Sequence, residues 1–216
     1  AAGTYTVRVK DAADCTFDIS VTISEPDALT AVITQTNNID CNGDADGQLT
    51  GTVTGGTSTY SYDWGTTAGG TDVSNPNATA NLTHVVTGLG PDEYFLTVTD
   101  ANSCTASDNI TITQPDALTA TALSSSNITC NGDDDGTMTI LPQGGTATNP
   151  YTCQWKEATA GISANATTTT GAYGPYTTFI GGALGPGTWS CIVTDNRGCT
   201  QESATKVITQ PNVVFA

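Results

Sequence analysis

The chain has 216 residues, with 5 Lys and Arg against 21 Asp and Glu, and a formal net charge of −16. That balance argues against a nucleic-acid partner, whose binding draws on clustered Lys and Arg, and against an anionic membrane; cations are its natural small partners. With 43 Thr and 23 Gly the composition is that of strands punctuated by turns, and no apolar run of about 18 residues could span a bilayer.

Residues 1–26 repeat the back half of a unit that occurs twice more. Tyr5, Asp11 and Cys15 each lie 89 residues before Tyr94, Asp100 and Cys104. This segment is read as strands F and G of a preceding sandwich. Residues 27–115 form the first whole unit, and the sequence predicts strand A over Leu29 to Thr36 and B over Gln48 to Thr54. Strand C follows over Thr59 to Trp64, a short D near Thr71 to Ser74, and E over Ala80 to Thr87. Strands F (Glu93 to Asp100) and G (Cys104 to Thr113) close it. Apolar residues recur at period two, as in Tyr94, Leu96 and Val98, so these are half-buried strands and not helices. Seven short strands with frequent turn signals predict an immunoglobulin-like sandwich.

The linker Gln114-Pro115-Asp116-Ala117-Leu118 nearly copies Glu25-Pro26-Asp27-Ala28-Leu29, 89 residues earlier. Pro fixes its own φ and biases the preceding residue to extended forms, so the joint is read as stiff. Residues 116–211 form the second whole unit, with strands starting near Leu118, Thr137, Tyr151, Ile162, Tyr176, Thr188 and Cys199. Residues 212–216 then read as the start of another strand A. A period of this size marks an array of domains. The fold class is therefore all-β, with tandem immunoglobulin-like repeats in an elongated array.

Several spaced motifs recur. Cys41-Asn-Gly-Asp-Ala-Asp-Gly47 matches Cys130-Asn-Gly-Asp-Asp-Asp-Gly136, and Gly55-Gly56-Thr57 matches Gly144-Gly145-Thr146. Tyr60-x-Tyr62-x-Trp64 matches Tyr151-x-Cys153-x-Trp155, and Val-Thr-Asp100 through Cys104-Thr105 matches Val-Thr-Asp195 through Cys199-Thr200. With the closing Ile-Thr-Gln-Pro, these motifs resemble the SprB repeat of Bacteroidota cell-surface adhesins. The resemblance implies large, repetitive, filamentous surface proteins exported by the type IX secretion machinery, some of which serve gliding motility and attachment. The pair Cys153 and Cys191 departs from the Tyr and aliphatic residues usual there.

Seven Cys with one His in an acidic β-rich chain read as disulfides and not as a zinc site. Cys41 with Cys104, and Cys130 with Cys199, occupy equivalent places. Each pair is expected to join the A–B turn to the F–G turn of its own repeat, with free buried thiols as the alternative. Cys153 and Cys191 fall on neighbouring strands C and F at core-facing parity, so a second bridge is expected there. Cys15 would find its partner in the front half of the preceding repeat. An oxidising, extracellular or cell-surface location follows.

Asn42-x-Asp44-x-Asp46-Gly47 and Asn131-x-Asp133-x-Asp135-Gly136 match the first half of a calcium loop. Val53 and Pro142 stand where an EF-hand needs its bidentate Glu. With Asp100 and Asn102, or Asp195 and Asn196, brought to the same pole, the boxes are candidate Ca²⁺ sites; the alternative is an Asx turn capping backbone N–H groups. Trp64, Trp155 and Trp189 read as core residues and not as sugar platforms, and His84 as a solvated strand residue. Asn77, Asn81, Asn109, Asn127 and Asn165 begin Asn-x-Ser/Thr sequons without a clear bacterial use.

No nucleophile motif accompanies His84, and paired carboxylates occur only in the turn boxes, so an enzyme is not expected. The chain reads as a non-catalytic stalk or filament segment of an extracellular repetitive adhesin. The competing reading is a ligand-binding β-sandwich module recognising glycan or protein. Neighbouring repeats of the same chain, or strands donated by identical subunits, are the expected partners.

Overall fold

The computed structural model describes residues 1–67, 79–146, 151–159, 161–162 and 179–213, and all regular structure among them is β-strand. The expected strand D near Thr71 to Ser74 and the start near Tyr176 lie outside the described residues.

β1 (Gly3–Lys10) and β2 (Thr16–Ile23) pair antiparallel as an isolated two-stranded sheet. Their register sets Tyr5 against Val21, Val7 against Ile19 and Val9 against Phe17. Because side chains alternate along a strand, all six share one face. Each is between 46% and 69% exposed, so this face covers nothing. The other face is polar: Thr4 meets Thr22, Thr6 meets Ser20, and Arg8 pairs Asp18 through two hydrogen bonds of 2.7 Å.

The next six strands make two sheets. They are β3 (Thr30–Asn37), β4 (Gly47–Thr54), β5 (Tyr60–Thr66), β6 (Thr83–Leu89), β7 (Asp92–Asp100) and β8 (Thr105–Ile112). One sheet has the order β3-β4-β6 and the other β5-β7-β8, the A-B-E and C-F-G layers of an immunoglobulin-like sandwich. Leu49 and Val53 of β4, Tyr62 and Trp64 of β5, and Leu96 and Val98 of β7 are almost wholly buried. Gly51 leaves room for the facing layer: a Cβ there would lie 2.6 Å from Leu96 and 2.9 Å from the Trp64 ring.

The second sandwich repeats this plan. Its strands are β9 (Asp116–Ser126), β10 (Gly136–Gly145), β11 (Thr152–Glu157), β12 (Gly161–Ile162), β13 (Phe179–Leu184), β14 (Gly187–Thr194), β15 (Thr200–Glu202) and β16 (Lys206–Ile208). One sheet is ordered β13-β10-β9; in the other, β12-β11-β14 is extended by β15 and β16, both paired with β14. Strand G is thus broken in two. Ser203 fills the break, its N–H bonding the Cys191 carbonyl at 2.9 Å and its hydroxyl accepting the Cys191 N–H at 3.0 Å. The core gathers Met138, Ile140, Trp155, Leu184, Trp189 and Val193 around Cys153 and Cys191.

The chain divides into two compact units. One holds Ala1–Thr36, Leu49–Val86 and Asp92–Thr111; the other holds Asn37–Gln48, Thr87–Pro91 and Ile112–Ala216. The Cys41 box therefore goes with the second unit.

Candidate functional site

Three copies of one turn carry a cysteine. After β7, the Asp100 carboxylate accepts the N–H groups of Asn102 (2.9 Å) and Cys104 (2.8 Å), and its second oxygen accepts Thr57 N–H (2.9 Å). The Asp100 N–H closes the turn on the Cys104 carbonyl at 2.9 Å. Asp195 does the same with Arg197 and Cys199 (both 2.9 Å), while Thr146 supplies both N–H and hydroxyl at 2.9 Å. Asp11 accepts Ala13 and Cys15 N–H at 2.8 and 3.0 Å. The backbone N–H of Thr57, with those of Cys104 and Asn102, holds the Asp100 carboxyl below the usual carboxylate range. At Asp195 burial pushes upward, but the bonds from Thr146, Cys199 and Arg197 outweigh it and the net direction is down. Each Asp is an Asx-turn cap fixing its cysteine.

The two Cys-Asn-Gly-Asp boxes also share one geometry. Asp44 N–H bonds the Cys41 carbonyl at 3.1 Å and Asp133 N–H the Cys130 carbonyl at 3.2 Å, with Gly43 and Gly132 both at φ +90°. Each box grips the linker that leaves its repeat. Asn42 Nδ2 donates to the Pro115 carbonyl and Asn131 Nδ2 to the Pro211 carbonyl, both at 2.9 Å. Gly43 N–H donates to Gln114 Oε1 at 2.8 Å, and Gly132 N–H to Gln210 Oε1 at 3.3 Å. The sequence reading missed this clamp. Its signal was the joint recurrence of Asn in the box and Gln-Pro at the repeat end.

The disulfides require a correction. Cys41 bonds Cys199, with Cα atoms 5.6 Å apart, whereas Cys104 and Cys130 are free and exposed, as is Cys15. The expected pairs Cys41 with Cys104 and Cys130 with Cys199 are not formed. The reason lies in the clamp, which fixes where the chain leaves the Cys41 box, so that the Asp195 turn of the following repeat brings its cysteine to Cys41. Beside this bond Arg197 pairs with Asp40 at 2.5 Å. Cys153 and Cys191 are joined inside the second sandwich, both fully buried.

The candidate calcium ligands are engaged in turn chemistry. Asp46 accepts the Asp40 N–H at 3.2 Å, and Asp135 accepts the Thr129 N–H at 3.0 Å together with the Thr129 hydroxyl. Thr129 thereby holds Asp135 below its ordinary range. Asp100 and Asp195 cap their own turns. Among the described residues no group of three or more His, Cys, Asp or Glu side chains converges to hold a metal. In this arrangement Asp46, Asp100, Asp135 and Asp195 act as Asx caps.

The tryptophans lie inside. Trp64, Trp155 and Trp189 are all buried. His84 corrects the expectation of a solvated residue: its Nδ1 accepts the Trp64 Nε1–H at 3.0 Å, and its ring stacks on Tyr62 with centroids 5.3 Å apart. The corresponding Trp155 Nε1 is buried without a partner among the described residues.

Comparison with known proteins places two stretches. Residues 37–113 match a K319L-like PKD domain, and residues 122–160 match the SprB repeat. No curated protein matches. Similar solved structures include a Ca²⁺-stabilised ice-binding adhesin of an Antarctic bacterium (17% identity, 96% of this chain and 56% of that chain, TM-score 0.45). Others are a 1.5-MDa bacterial ice-binding adhesin (13%, 96% and 73%, 0.44) and the first eight immunoglobulin domains of DSCAM (12%, 94% and 26%, 0.43). The chain spans about a quarter of the DSCAM segment and little over half of the Antarctic adhesin structure. At these identities and scores the likenesses carry no functional argument. The family match at 122–160 takes in the Cys130 box, Gly144-Gly145-Thr146 and Cys153-x-Trp155, and over that stretch the chain is similar to the SprB repeat.

Proposed function

We propose that the chain is a non-catalytic structural segment, the stalk or filament body of an extracellular repetitive adhesin. The observation that carries this reading is the burial of the tryptophans. A sandwich that stacks sugars on tryptophan must expose the ring, and here Trp64, Trp155 and Trp189 are no more than 6% exposed. A 420 Å³ cleft beside the Cys41–Cys199 bond is lined by Asn42, Asp44, Leu118, Thr200 and Gln201 among others, with no aromatic residue in its wall. The repeat organisation and the SprB-type match support a surface location. Among the described residues no helix is long and apolar enough to cross a membrane. Export by the type IX machinery and a part in gliding belong to the same reading.

The uncovered apolar face of β1 and β2 supports a repeat partner. In the next repeat the equivalent Tyr94, Leu96 and Val98 are buried at 4%, 0% and 0%. A preceding repeat of the same polypeptide would cover Tyr5, Val7 and Val9 in the same way, and strands donated by an identical subunit would do so in a polymer.

Glycan-array binding with the full chain, together with electron microscopy of native surface material labelled against it, tests this. Label distributed along filament bodies and no saturable glycan binding is the expected outcome. Saturable binding of one glycan class would overturn the structural reading in favour of a ligand-binding module.

A further inference from the structure

We propose that the turn cysteines form a ladder across repeats: each box cysteine bonds the F–G-turn cysteine of the repeat after its own. Cys130 then takes a cysteine from a following repeat, and Cys104 one from a preceding repeat. The inference rests on the tandem-repeat reading above and adds the covalent register that it leaves open.

Cys41 supplies the pattern. Its partner is not Cys104, in the F–G turn of its own repeat, but Cys199, in the F–G turn of the next. Every part that produces this pairing recurs. The box around Cys130 has the turn, the Gly at φ +90° and the Asn–Pro and Gly–Gln clamp seen around Cys41. The clamp holds the linker after Pro211 as it holds that after Pro115, so a following repeat starts from the same place relative to Cys130 as β9 does relative to Cys41. On the receiving side, Cys15, Cys104 and Cys199 each sit in an Asp-capped turn whose Asp N–H meets the cysteine carbonyl at 2.9 to 3.0 Å. Cys15, Cys104 and Cys130 are exposed thiols, as an unmet half of such a bond must be.

The chemistry is thiol–disulfide exchange with a disulfide oxidant, the class to which oxidised glutathione belongs. The Cys130 thiolate attacks one sulfur of the oxidant and expels a thiolate. The incoming cysteine, deprotonated, attacks the mixed disulfide and expels the second. Two protein thiols are oxidised and one disulfide is reduced to two thiols, the expelled thiolates taking up the two protons that the protein cysteines lose.

The test extends the full chain after Pro211 by a second copy of residues 116–211, oxidises it with oxidised glutathione, and maps the non-reduced peptides. The expected result links Cys41 to Cys199 and Cys130 to the appended copy of Cys199, with loss of the iodoacetamide labelling that Cys130 shows in the unextended chain. A link from Cys130 to Cys199 within one repeat, or Cys130 still alkylated after oxidation, overturns the ladder. A second arm uses Cys41→Ser in the unextended chain, where the persisting Cys153–Cys191 link reports a folded sandwich. Cys199 and Cys130 should both alkylate; a Cys130–Cys199 link there would show that the register is not built into the turns. Linkage mapping reports connectivity alone, so its failure leaves the structural role standing, and glycan binding would sink that role without touching the ladder.

Discussion

Trp64 Nε1 donates a 3.0 Å hydrogen bond to His84 Nδ1, so the imidazole must keep a lone pair at that nitrogen. Burial lowers the His84 pKa from its ordinary value, so the native state binds fewer protons than the unfolded chain. Its contribution to stability is present above roughly pH 6.5 and is lost as pH falls through the folded value. His84→Ala should cost about 1–3 kcal/mol at neutral pH by leaving the indole N–H unpaired. Urea midpoints for parent and variant should separate at pH 7.5 and draw together at pH 5.

The Asp100 carboxylate answers three backbone N–H groups, and its depressed pKa has the opposite origin from that of His84, favourable bonds to the charged form. The stabilisation is present above the unfolded carboxylate value of about 3.9 and is lost as pH falls through the lower folded value. Asp100→Asn should lower the urea midpoint at pH 7. The gap from the parent should close in acid as the parent carboxylate also becomes neutral. Asp195→Asn should behave alike in the second sandwich.

Glycines of the A–B turn and of the end of strand B differ in a checkable way. A Cβ on Gly55 would lie 2.1 Å from the Ala28 carbonyl oxygen, and one on Gly144 2.0 Å from that of Ala117, both at positive φ. Gly43 has positive φ but nothing within 4 Å. Gly43→Ala should therefore cost only the left-handed strain of about 1–2 kcal/mol. Gly55→Ala and Gly144→Ala should cost clearly more, read as a larger drop in denaturation midpoint.

Calcium is expected to leave stability unchanged. A ligand bound only to the native state would raise the melting temperature with its concentration. Because Asp46, Asp135, Asp100 and Asp195 are held by backbone donors, thermal scans in millimolar Ca²⁺ and in chelator should superimpose. A rise with Ca²⁺ would show that the carboxylates leave their turns to bind it.

Cys153 and Cys191 stand where the first sandwich has Tyr62 and Leu96, all four fully buried. The double variant Cys153→Tyr, Cys191→Leu exchanges a covalent tie for a packed pair already proven on this scaffold. It should fold to the same β-rich spectrum and lose at most about 4 kcal/mol, the chain-entropy worth of closing a loop of this size. Failure to fold would show that the second core is shaped around the bond.

The sandwich strands were legible because their signal is local. Alternation through Tyr94, Leu96 and Val98 places the core face of β7 without knowledge of any other strand, and Gly-Gly marks the end of β4. The partner of Cys41 was not legible, because every repeat offers one cysteine at each turn and spacing alone is satisfied by Cys104 or by Cys199. The choice is made by Asn42 and Gly43 gripping Pro115 and Gln114 of the linker, contacts between residues more than 70 positions apart. His84 was misread for a similar reason. Its partner Trp64 is on another strand, 20 residues away.

The Cys41–Cys199 bond joins points 158 residues apart in sequence. A pull applied before Cys41 and after Cys199 passes through one S–S bond and bypasses every peptide between them. Strands inside that loop could separate without lengthening the chain, and roughly 500 Å of extended backbone would stay off the load path until a reductant opened the bond. Lengthening of the stretch between Cys41 and Cys199 is thus gated by the redox state of its surroundings, while β3 before it and β15 and β16 after it stay in the load path.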